Sequence, residues 1–376
     1  MKSLFYIAVL MGLALLLGSC WPTEPEYPRP EPWLCSINAD GTGFRKIMKS
    51  PFNTPGLVDI YMTKDNRIIF YGSKLWISET DTIRVEQITP DNLVLFDKPQ
   101  LEFTRDGGTA YFDASRDIYK LKLSTGEVFK ITETPVNYRY AEPLLSDDEQ
   151  CITMRSYPCK GRESGIVGAY IDLRDNVLKY IYSNMWFPAS YKTMLMTTLN
   201  RMILENRDGL GSVSLEDSTY TLHLSYLPSY KNMFETSADQ RYLITKYIQS
   251  TKSYAMAIDL QNYARYNLGY VNEHYSRSPI KTCKDANLVF YFDDQQIYRY
   301  DLDTHQKSIV IGSNAGVDVC SIIMLAPTWD GSKVYFYADI LKNLGGLDET
   351  MRYCAGMCDV IDYYVHRMAV CRGFTY

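Results

Sequence analysis

The sequence lacks the short motifs that mark common catalytic and metal centres. It contains no Gly-x-Ser-x-Gly, no His-Glu-x-x-His and no phosphate-binding loop with its lysine. A zinc site would need paired Cys-x-x-Cys or histidines at ligand spacing, and the sequence has neither. The four histidines each stand alone in the sequence: His223, His274, His305 and His366. We therefore predict no catalytic residue, no metal and no cofactor.

A positive charge excess is also missing. Lys and Arg number 39 against 44 Asp and Glu, which gives a formal net charge of −5. Proteins that bind nucleic acid carry a basic patch that matches the phosphate charge, so we predict no nucleic-acid partner. Hydrophobic residues make up 46% of the 376 residues, enough for a large core in one all-β domain or in two smaller domains.

Short β-type segments fill the stretch Lys98–Thr132. The turn Asp106-Gly107-Gly108 joins the first two segments, and the turn Ser124-Thr125-Gly126 joins the last two. The glycines in these turns allow a positive φ without steric cost. Two hairpins in series predict a four-stranded antiparallel meander, with strands at Gln100–Thr104, Ala110–Asp113, Ile118–Leu123 and Glu127–Ile131.

The first turn of this meander recurs along the chain. Its copies are centred on Asp65, Asp106, Asp148, Asp239, Asp285 and Asp330, with Asn200 in a weaker copy. Successive centres lie 39 to 52 residues apart, and a period near 40–45 residues with four strands per unit is typical of β-propeller blades. One meander cannot cover both of its faces, so blades stack around an axis until the ring closes.

The repeat resembles the TolB-type WD40-like (PD40) repeat. The closest copies are WDGSKVYFYAD, RDGGTAYFDASRDIYKLKLSTGEVFKIT and LCSINADGTGFRKI, and the resemblance covers Trp33–Asp339. It is weakest over Trp186–Pro228, where we interpret Arg207–Ser218 as an insertion. The resemblance implies an all-β propeller over residues 33–339 with seven blades, or six as in TolB if the weak unit is not a blade.

Two unpaired half-repeats predict how the ring closes. Leu34–Ile47 is an outer hairpin with no inner hairpin before it, and Ser321–Ala338 is an inner hairpin with no outer hairpin after it. Joining them completes one blade from both ends of the chain and removes two exposed sheet edges.

After Asp339 the pattern changes to a helical period. Apolar residues recur at steps of three and four, which predicts an amphipathic C-terminal helix within residues 340–376, with Leu347, Met351, Cys354, Cys358, Ile361, Val365 and Met368 on one face.

The cysteines leave the disulfide pairing open. Cys35 and Cys320 fall in the two halves of the composite blade, and Cys151 and Cys159 flank one loop, so either pair could bridge in an oxidising compartment. Free cysteines are common core residues, and we expect most of these thiols to be free and buried.

The first 19 residues have the pattern of a signal peptide, which predicts where in the cell the protein is located. Lys2 precedes the apolar run Leu4–Leu17, and Leu17-Gly18-Ser19-Cys20 resembles the lipobox of bacterial lipoproteins, in which the cysteine is lipidated. Residues 20–32 then form a lipidated Cys20 and a Pro-rich tether, extended at about 3.1 Å per residue. Trp21 is not the Asp that retains many lipoproteins at the inner membrane. The resemblance therefore implies a lipid anchor on the outer membrane, with the body periplasmic or surface-facing.

Aromatic residues concentrate in the segments between blades, which share a face with the middle loop of each blade. An aromatic rim suits stacking on sugar rings or docking of a peptide segment. The middle loops add the acids Asp113, Asp117, Asp293 and Asp294. We predict a ligand-binding rim that includes Tyr138, Tyr140, Trp186, Phe187, Tyr191, His274 and Tyr275.

The sequence supports two functions of different classes. The first is a binding or scaffold module for an envelope protein or a glycan. The second is a glycan-cleaving lyase or hydrolase assembled from carboxylates of separate blades. Oligogalacturonate lyases resemble this repeat type but use a metal held by several histidines, including a His-x-His pair that this chain lacks. The binding module is therefore the preferred prediction.

The lipidation of Cys20 is testable by one substitution. Cys20→Ala should release the protein from membrane fractions and abolish labelling with palmitate, because the acyl chains are the anchor. Wild type carried through the same fractionation is the control. Unchanged membrane association of the labelled variant would contradict the lipoprotein prediction.

Overall fold

The computed structural model describes residues 31–49, 57–80, 84–95, 100–134, 138–146, 148–158, 166–182, 192–198, 201–206, 209–214, 219–225, 230–250, 252–271, 279–293, 295–311 and 319–340. They belong to one compact unit that spans Pro32–Ile340. The predicted signal peptide, most of the tether and the predicted C-terminal helix lie outside the described residues. Within them, no helix has the length and apolar character needed to cross a membrane.

The described residues are all-β, as predicted. They form 28 strands, several of which are buried along most of their length. The strands are β1 (Glu31–Asn38), β2 (Arg45–Lys49), β3 (Leu57–Met62), β4 (Arg67–Gly72), β5 (Leu75–Glu79), β6 (Val85–Gln87), β7 (Glu102–Phe103), β8 (Thr109–Ala114), β9 (Asp117–Lys122), β10 (Val128–Lys130), β11 (Tyr138–Leu145), β12 (Cys151–Pro158), β13 (Ile166–Asp172), β14 (Val177–Tyr182), β15 (Lys192–Thr198), β16 (Arg201–Asn206), β17 (Gly209–Ser214), β18 (Tyr220–Ser225), β19 (Tyr230–Thr236), β20 (Tyr242–Gln249), β21 (Lys252–Asp259), β22 (Arg265–Val271), β23 (Ile280–Thr282), β24 (Leu288–Phe292), β25 (Ile297–Asp301), β26 (Gln306–Ile311), β27 (Val319–Pro327) and β28 (Lys333–Ile340).

The strands form four-stranded antiparallel sheets, and seven such sheets lie in the described residues. Six are consecutive meanders, which we number I to VI: β3–β6, β7–β10, β11–β14, β15–β18, β19–β22 and β23–β26. The seventh, the closing sheet, has the order β2-β1-β28-β27. The predicted composite sheet is therefore confirmed. The choice between seven and six blades for the whole chain stays a prediction.

A Ser or Thr two residues before each turn aspartate shapes the first turn of most sheets. In sheet II, the Thr104 hydroxyl donates to Asp106 Oδ1 at 2.6 Å, and the Gly108 N–H donates to the same oxygen at 2.8 Å. The Thr109 N–H then donates to Thr104 Oγ1 at 3.1 Å, so two short polar side chains replace missing backbone partners. The same hydroxyl-to-carboxylate bond occurs at Asp65, Asp148, Asp239 and Asp330.

The residue after the turn aspartate takes a left-handed conformation. Gly107 has φ 73°, and a Cβ there would lie 2.5 Å from Cβ of Lys64 in sheet I, so both the conformation and the close approach require glycine. Non-glycine residues adopt the same conformation in the turns of other sheets: Asn66, Glu149 and Gln240. The predicted glycine turns at Gly107 and Gly126 are confirmed by their positive φ.

Apolar side chains join each sheet to the next. One core cluster joins the closing sheet with sheets I and II, another joins sheets II and III, and others join sheets IV and V, sheets V and VI, and sheet VI with the closing sheet. Strand β12 of sheet III packs against β15 of sheet IV. Because the closing sheet contacts both sheet VI and sheet I, the sheets form a closed ring.

The interpretation of Arg207–Ser218 as an insertion is wrong. Residues Gly209–Ser214 are strand β17, paired along its length with β16 from Arg201↔Ser214 to Asn206↔Gly209. Two glycines and two serines among its six residues leave this strand without the apolar alternation that identifies a strand in a sequence.

The two suggested disulfides are absent. Cys35 and Cys151 are free and buried, as is Cys283. Cys35 lies on β1 and Cys320 on β27, and β28 runs between them, so the two sulfurs belong to strands that are not neighbours. The expectation of free, buried thiols is confirmed for these three residues.

Deleting each part of the N-terminal region tests the closure. Removing residues 33–49 deletes most of β1 and all of β2, and it exposes the edge of β28. It also removes the buried side chains of Leu34, Ile37 and Met48 from the core. The ring should therefore lose cooperative stability. Removing residues 21–32 should leave the melting temperature nearly unchanged, because only the first two residues of β1 are lost. Equal melting temperatures of the two deletion variants would contradict the closure.

Candidate functional site

The two faces of the ring are built differently. On the face of the aspartate turns, successive sheets are bonded directly to each other. The Trp329 indole N–H donates to the Met62 carbonyl oxygen at 2.8 Å, and Lys64 Nζ donates to the Arg105 carbonyl oxygen at 2.9 Å. Further bonds of this kind run from the Arg105 N–H to Glu149, from the Asp239 N–H to Asn287 and from the Asp285 N–H to the Trp329 carbonyl.

The first strands of four sheets carry a charged residue or a tyrosine at one shared register position. Four residues before the turn aspartate stand Tyr61, Glu102, Glu235 and Lys281, in sheets I, II, V and VI. Side chains on adjacent strand residues point to opposite faces, so this position points away from the residues on either side of it. With Asp59 and Lys284, these four residues form the axial cluster.

Contacts within the axial cluster join sheets that are not neighbours. Lys281 of sheet VI binds Asp59 of sheet I across the closing sheet, and Lys284 of sheet VI binds Glu102 of sheet II across two sheets. Side chains of separated sheets can meet only where the sheets converge. The first strands therefore line the axis of the ring.

Lys281 is held on three sides. Its Nζ lies 2.8 Å from Asp59 Oδ2, 3.8 Å from Glu235 Oε1 and 4.1 Å from the centre of the Tyr61 ring. The Thr282 N–H and hydroxyl fix Glu235 by donating to Oε2 at 2.5 and 2.8 Å. Lys281 is 8% exposed and Asp59 1%, so this pair is sealed from solvent. Burial, followed by the charge of Asp59, raises the pKa of Tyr61 well above its usual value.

The Lys284–Glu102 pair is more open. The two charges are 3.2 Å apart, with side chains 33% and 18% exposed. Burial raises the pKa of Glu102, and Lys284 offsets part of this effect. Burial acts to lower the pKa of Lys284, but the carboxylates of Glu102 and Glu235 outweigh it, so the net pKa is raised. The two shifts have opposite effects on the pair, because a raised pKa favours the charged form of Lys284 and the neutral form of Glu102.

Sequence reasoning missed the axial cluster, although a signal was present. Asp59, Glu102 and Lys281 each stand in a short strand of otherwise mostly apolar residues, where a buried charge needs a partner. Aligning the repeats on the turn aspartate would have placed them at one level. It would not have shown which sheets pair, because that depends on the order of the sheets around the axis.

On the opposite face, middle-loop cations hold the between-sheet segments. Lys74, in the middle loop of sheet I, donates to the carbonyl oxygens of Pro90, Asp91 and Leu93 at 3.0, 2.5 and 2.8 Å. The next residue, Val94, exchanges hydrogen bonds with Ser115 of sheet II, yet its side chain is 62% exposed. The backbone is fixed while the apolar side chain faces solvent.

Arg116 repeats this arrangement one sheet further on. Its Nε and Nη2 donate to the Tyr138 carbonyl oxygen at 3.2 and 2.9 Å, and its own carbonyl accepts from the Tyr140 N–H at 3.0 Å. Tyr138, the first residue of β11, is half-buried beside this contact. These contacts confirm, for sheets I to III, that between-sheet segments and middle loops share a face.

Tyr140 is not a rim residue. It lies two residues inside β11 and is fully buried in the core cluster of sheets II and III. The prediction treated Tyr138 and Tyr140 as parts of one loop, but the strand starts at Tyr138 and takes Tyr140 into the core. The remaining predicted rim residues, Trp186, Phe187, Tyr191, His274 and Tyr275, lie outside the described residues.

The acids of the middle loops act as hydrogen-bond acceptors for the protein itself. Asp113 is buried, 3.4 Å from Arg139. Asp117 accepts from the Thr132 and Thr134 hydroxyls at 2.9 and 2.6 Å. Asp293 accepts from the Tyr298 hydroxyl at 2.8 Å. Asp294 lies outside the described residues.

Two of the four histidines are described, and each stacks on a tyrosine. His223 stacks on Tyr263 at 4.5 Å between ring centres, and its Nε2 lies 2.7 Å from Ser212 Oγ. His305 stacks on Tyr266 at 4.3 Å. In the part of the chain that the structure describes, no three His, Cys, Asp or Glu residues form a group that could hold a metal.

The overall architecture has solved relatives. No protein-family model matches the sequence, and no curated protein matches it. An oligogalacturonate lyase in complex with manganese is 9% identical with a TM-score of 0.54, covering 84% of this chain and 99% of that chain. The oligogalacturonate lyase of Vibrio parahaemolyticus is 10% identical with a TM-score of 0.53 and the same coverage. The fold is a β-propeller.

TolB from Acinetobacter baumannii is also similar. It is 13% identical, with 82% of this chain and 64% of that chain covered and a TM-score of 0.44, which is too low to carry an argument. At these identities, likeness to the two lyases concerns the propeller fold alone, because one fold hosts many functions.

Removing Lys281 should lower the free energy of unfolding more than removing Lys284 does. Lys281→Met leaves the sealed Asp59 carboxylate without its cation and should lower the free energy of unfolding by about 3–5 kcal/mol. Lys284→Met should lower it by less, because water can reach Glu102. Urea denaturation of both variants beside wild type measures the difference. A larger loss for Lys284→Met would contradict the assignment of Lys281 as the sealed member.

Proposed function

We propose that this chain is a β-propeller binding module of the cell envelope, anchored to the outer membrane by lipid on Cys20. The ligand is an envelope protein or a glycan, and it docks on the face of the between-blade segments. One observation carries the choice of face: the Lys74 and Arg116 side chains fix the backbone of successive between-blade segments. Val94 and Tyr138 are thereby displayed on a rigid frame.

A rigid rim favours binding because less conformational entropy is lost when a ligand docks. The exposed Val94 side chain supplies apolar area, and Tyr138 supplies an aromatic ring. The predicted rim residues Trp186, Phe187, Tyr191, His274 and Tyr275 would extend this surface with the ring types that dominate binding energies. Tyrosine and tryptophan rings serve both protein interfaces and sugar stacking, so the rim supports both ligand classes.

The alternative function is cleavage of a glycan by a surface lipoprotein. The fold likeness to two oligogalacturonate lyases is the observation behind it. That likeness concerns architecture, and the acids of the described middle loops are engaged by Arg139, Thr132, Thr134 and Tyr298. The binding module therefore ranks first.

Binding of the purified protein to a glycan array and cross-linked capture from intact envelopes separate the ligand classes. Specific, saturable glycan binding without release of shorter products would establish a glycan-binding module. A single cross-linked envelope protein would establish the protein partner. Time-dependent shortening of an array glycan would favour the alternative. The absence of both glycan binding and protein capture would contradict the proposal.

Trp186→Ala tests the rim directly. Pro188 lacks a backbone N–H and disfavours a helical Phe187, so the segment around Trp186 is predicted to be a loop or a strand edge. The substitution should weaken ligand binding by about 2 kcal/mol or more, the usual hot-spot scale. Titration calorimetry with the ligand found above measures this loss, and a denaturant melt of the same variant measures stability.

Trp329→Ala is the matched control. Trp329 is buried in the core, and its indole N–H donates to Met62, so its truncation should destabilise the fold by about 3–5 kcal/mol. A Trp186→Ala variant that unfolds as the Trp329→Ala variant does, or that binds as tightly as wild type, would show that Trp186 is not a binding anchor.

A further inference from the structure

The closing sheet sits between sheets VI and I, and one ion pair passes it at the axis. Lys281 on β23 reaches Asp59 on β3 at 2.8 Å, although 222 residues separate them in the sequence. Both side chains are buried, and Glu235 and Tyr61 complete the surroundings of the Lys281 ammonium. The pair therefore links the two neighbours of the closing sheet directly.

The inner strand of the closing sheet leaves room for this link. In β27, the register position that holds Tyr61, Glu102, Glu235 and Lys281 in sheets I, II, V and VI holds Ala326, which is four residues before Asp330. Ala326 is buried, and β27 packs against both β3 and β23. Ala326 is the smallest residue at this position among the seven sheets, so β27 contributes only a methyl group here, while the Lys281 side chain spans the distance to Asp59.

The N-terminal hairpin β1–β2 depends on the spacing of sheets VI and I. Cys35 and Ile37 of β1 pack in the cluster shared with sheet VI, whereas Leu34 and Met48 pack in the cluster shared with sheets I and II. The hairpin is thus wedged between two sheets. Widening the gap between them removes apolar contacts from both faces of the hairpin at once.

We propose that Lys281 and Asp59 form an axial lock that fixes the spacing of sheets VI and I and thereby keeps the N-terminal hairpin paired with β28. The lock adds to the β1–β28 pairing, and it acts at the axis, beside β27, the inner edge strand of the closing sheet. It restrains the joint at which the ring opens, and this role is independent of what the rim binds.

Buried native thiols provide the test. Cys35 lies in β1 with no exposed surface, and Cys151 lies in sheet III, well separated from the joint in the order of sheets. Burial raises the pKa of Cys35 to about 12 and that of Cys151 to about 11. Neither thiol should react quickly with a disulfide reagent unless its sheet opens.

The variant pair Lys281→Met with Asp59→Asn removes both charges of the lock, and Glu235 keeps its hydrogen bonds from Thr282. In the full chain under native conditions, it should speed modification of Cys35 about tenfold, while Cys151 changes less than about twofold. Peptide mass mapping assigns each modified cysteine among the nine in the chain. If the double variant does not fold, Asp59→Asn alone replaces it in the same measurement. In that single variant the Lys281 ammonium still has the Glu235 carboxylate as a partner.

The matched control is Arg241→Met with Asp259→Asn. That pair is also close, at 2.7 Å, and also buries its carboxylate, but both residues belong to sheet V. It should not accelerate Cys35 selectively. Equal acceleration of Cys35 and Cys151 in the lock variant, or no acceleration of Cys35, would overturn the proposal.

Discussion

The pairing of β1 with β28 is the constraint on which the rest of the ring depends. Sheets I to VI are built from consecutive hairpins, so each can form from local contacts. Their faces, however, are covered only by the neighbouring sheets. Without the closing sheet complete, sheets I and VI would each present an apolar face and part of the core to water. Closing the ring therefore requires a contact between strands about 300 residues apart, and the entropy of that long loop must be offset by the apolar burial it completes.

The ring separates stability from display. On the face of the aspartate turns, side chains and backbone of successive sheets bond directly, as at Trp329 with Met62 and Lys64 with Arg105. Inside the axis, Lys281 and Asp59 add a sealed ion pair that joins non-neighbouring sheets. On the opposite face, the contacts are made to the loop backbone, and apolar side chains such as Val94 are left in water. One face of the ring thus stabilises the contacts between sheets, and the opposite face displays side chains to solvent.

The fold could be predicted because its signals are local and repeated. The Asp106 turn, its glycine and the flanking alternation recur often enough to reveal the period, and the two half-repeats at the chain ends predicted the closing sheet. Strand β17 could not be recognised, since Gly209 and Gly211 give it no alternation and only its pairing with β16 and β18 defines it. Tyr140 was misplaced because the start of β11 decides whether a ring faces water or core. The axial cluster depends on which sheets face each other across the axis, and no local pattern contains that information.

The grip of Lys74 and Arg116 on the between-blade segments has a consequence for how the rim can change. Both cations bind carbonyl oxygens, a group that every amino acid carries, so the hold does not depend on which side chains the segment displays. Substitutions at exposed positions such as Val94 alter the chemistry presented to a ligand without loosening the frame. The same scaffold could therefore acquire a new specificity by point changes alone, with no adjustment elsewhere in the ring.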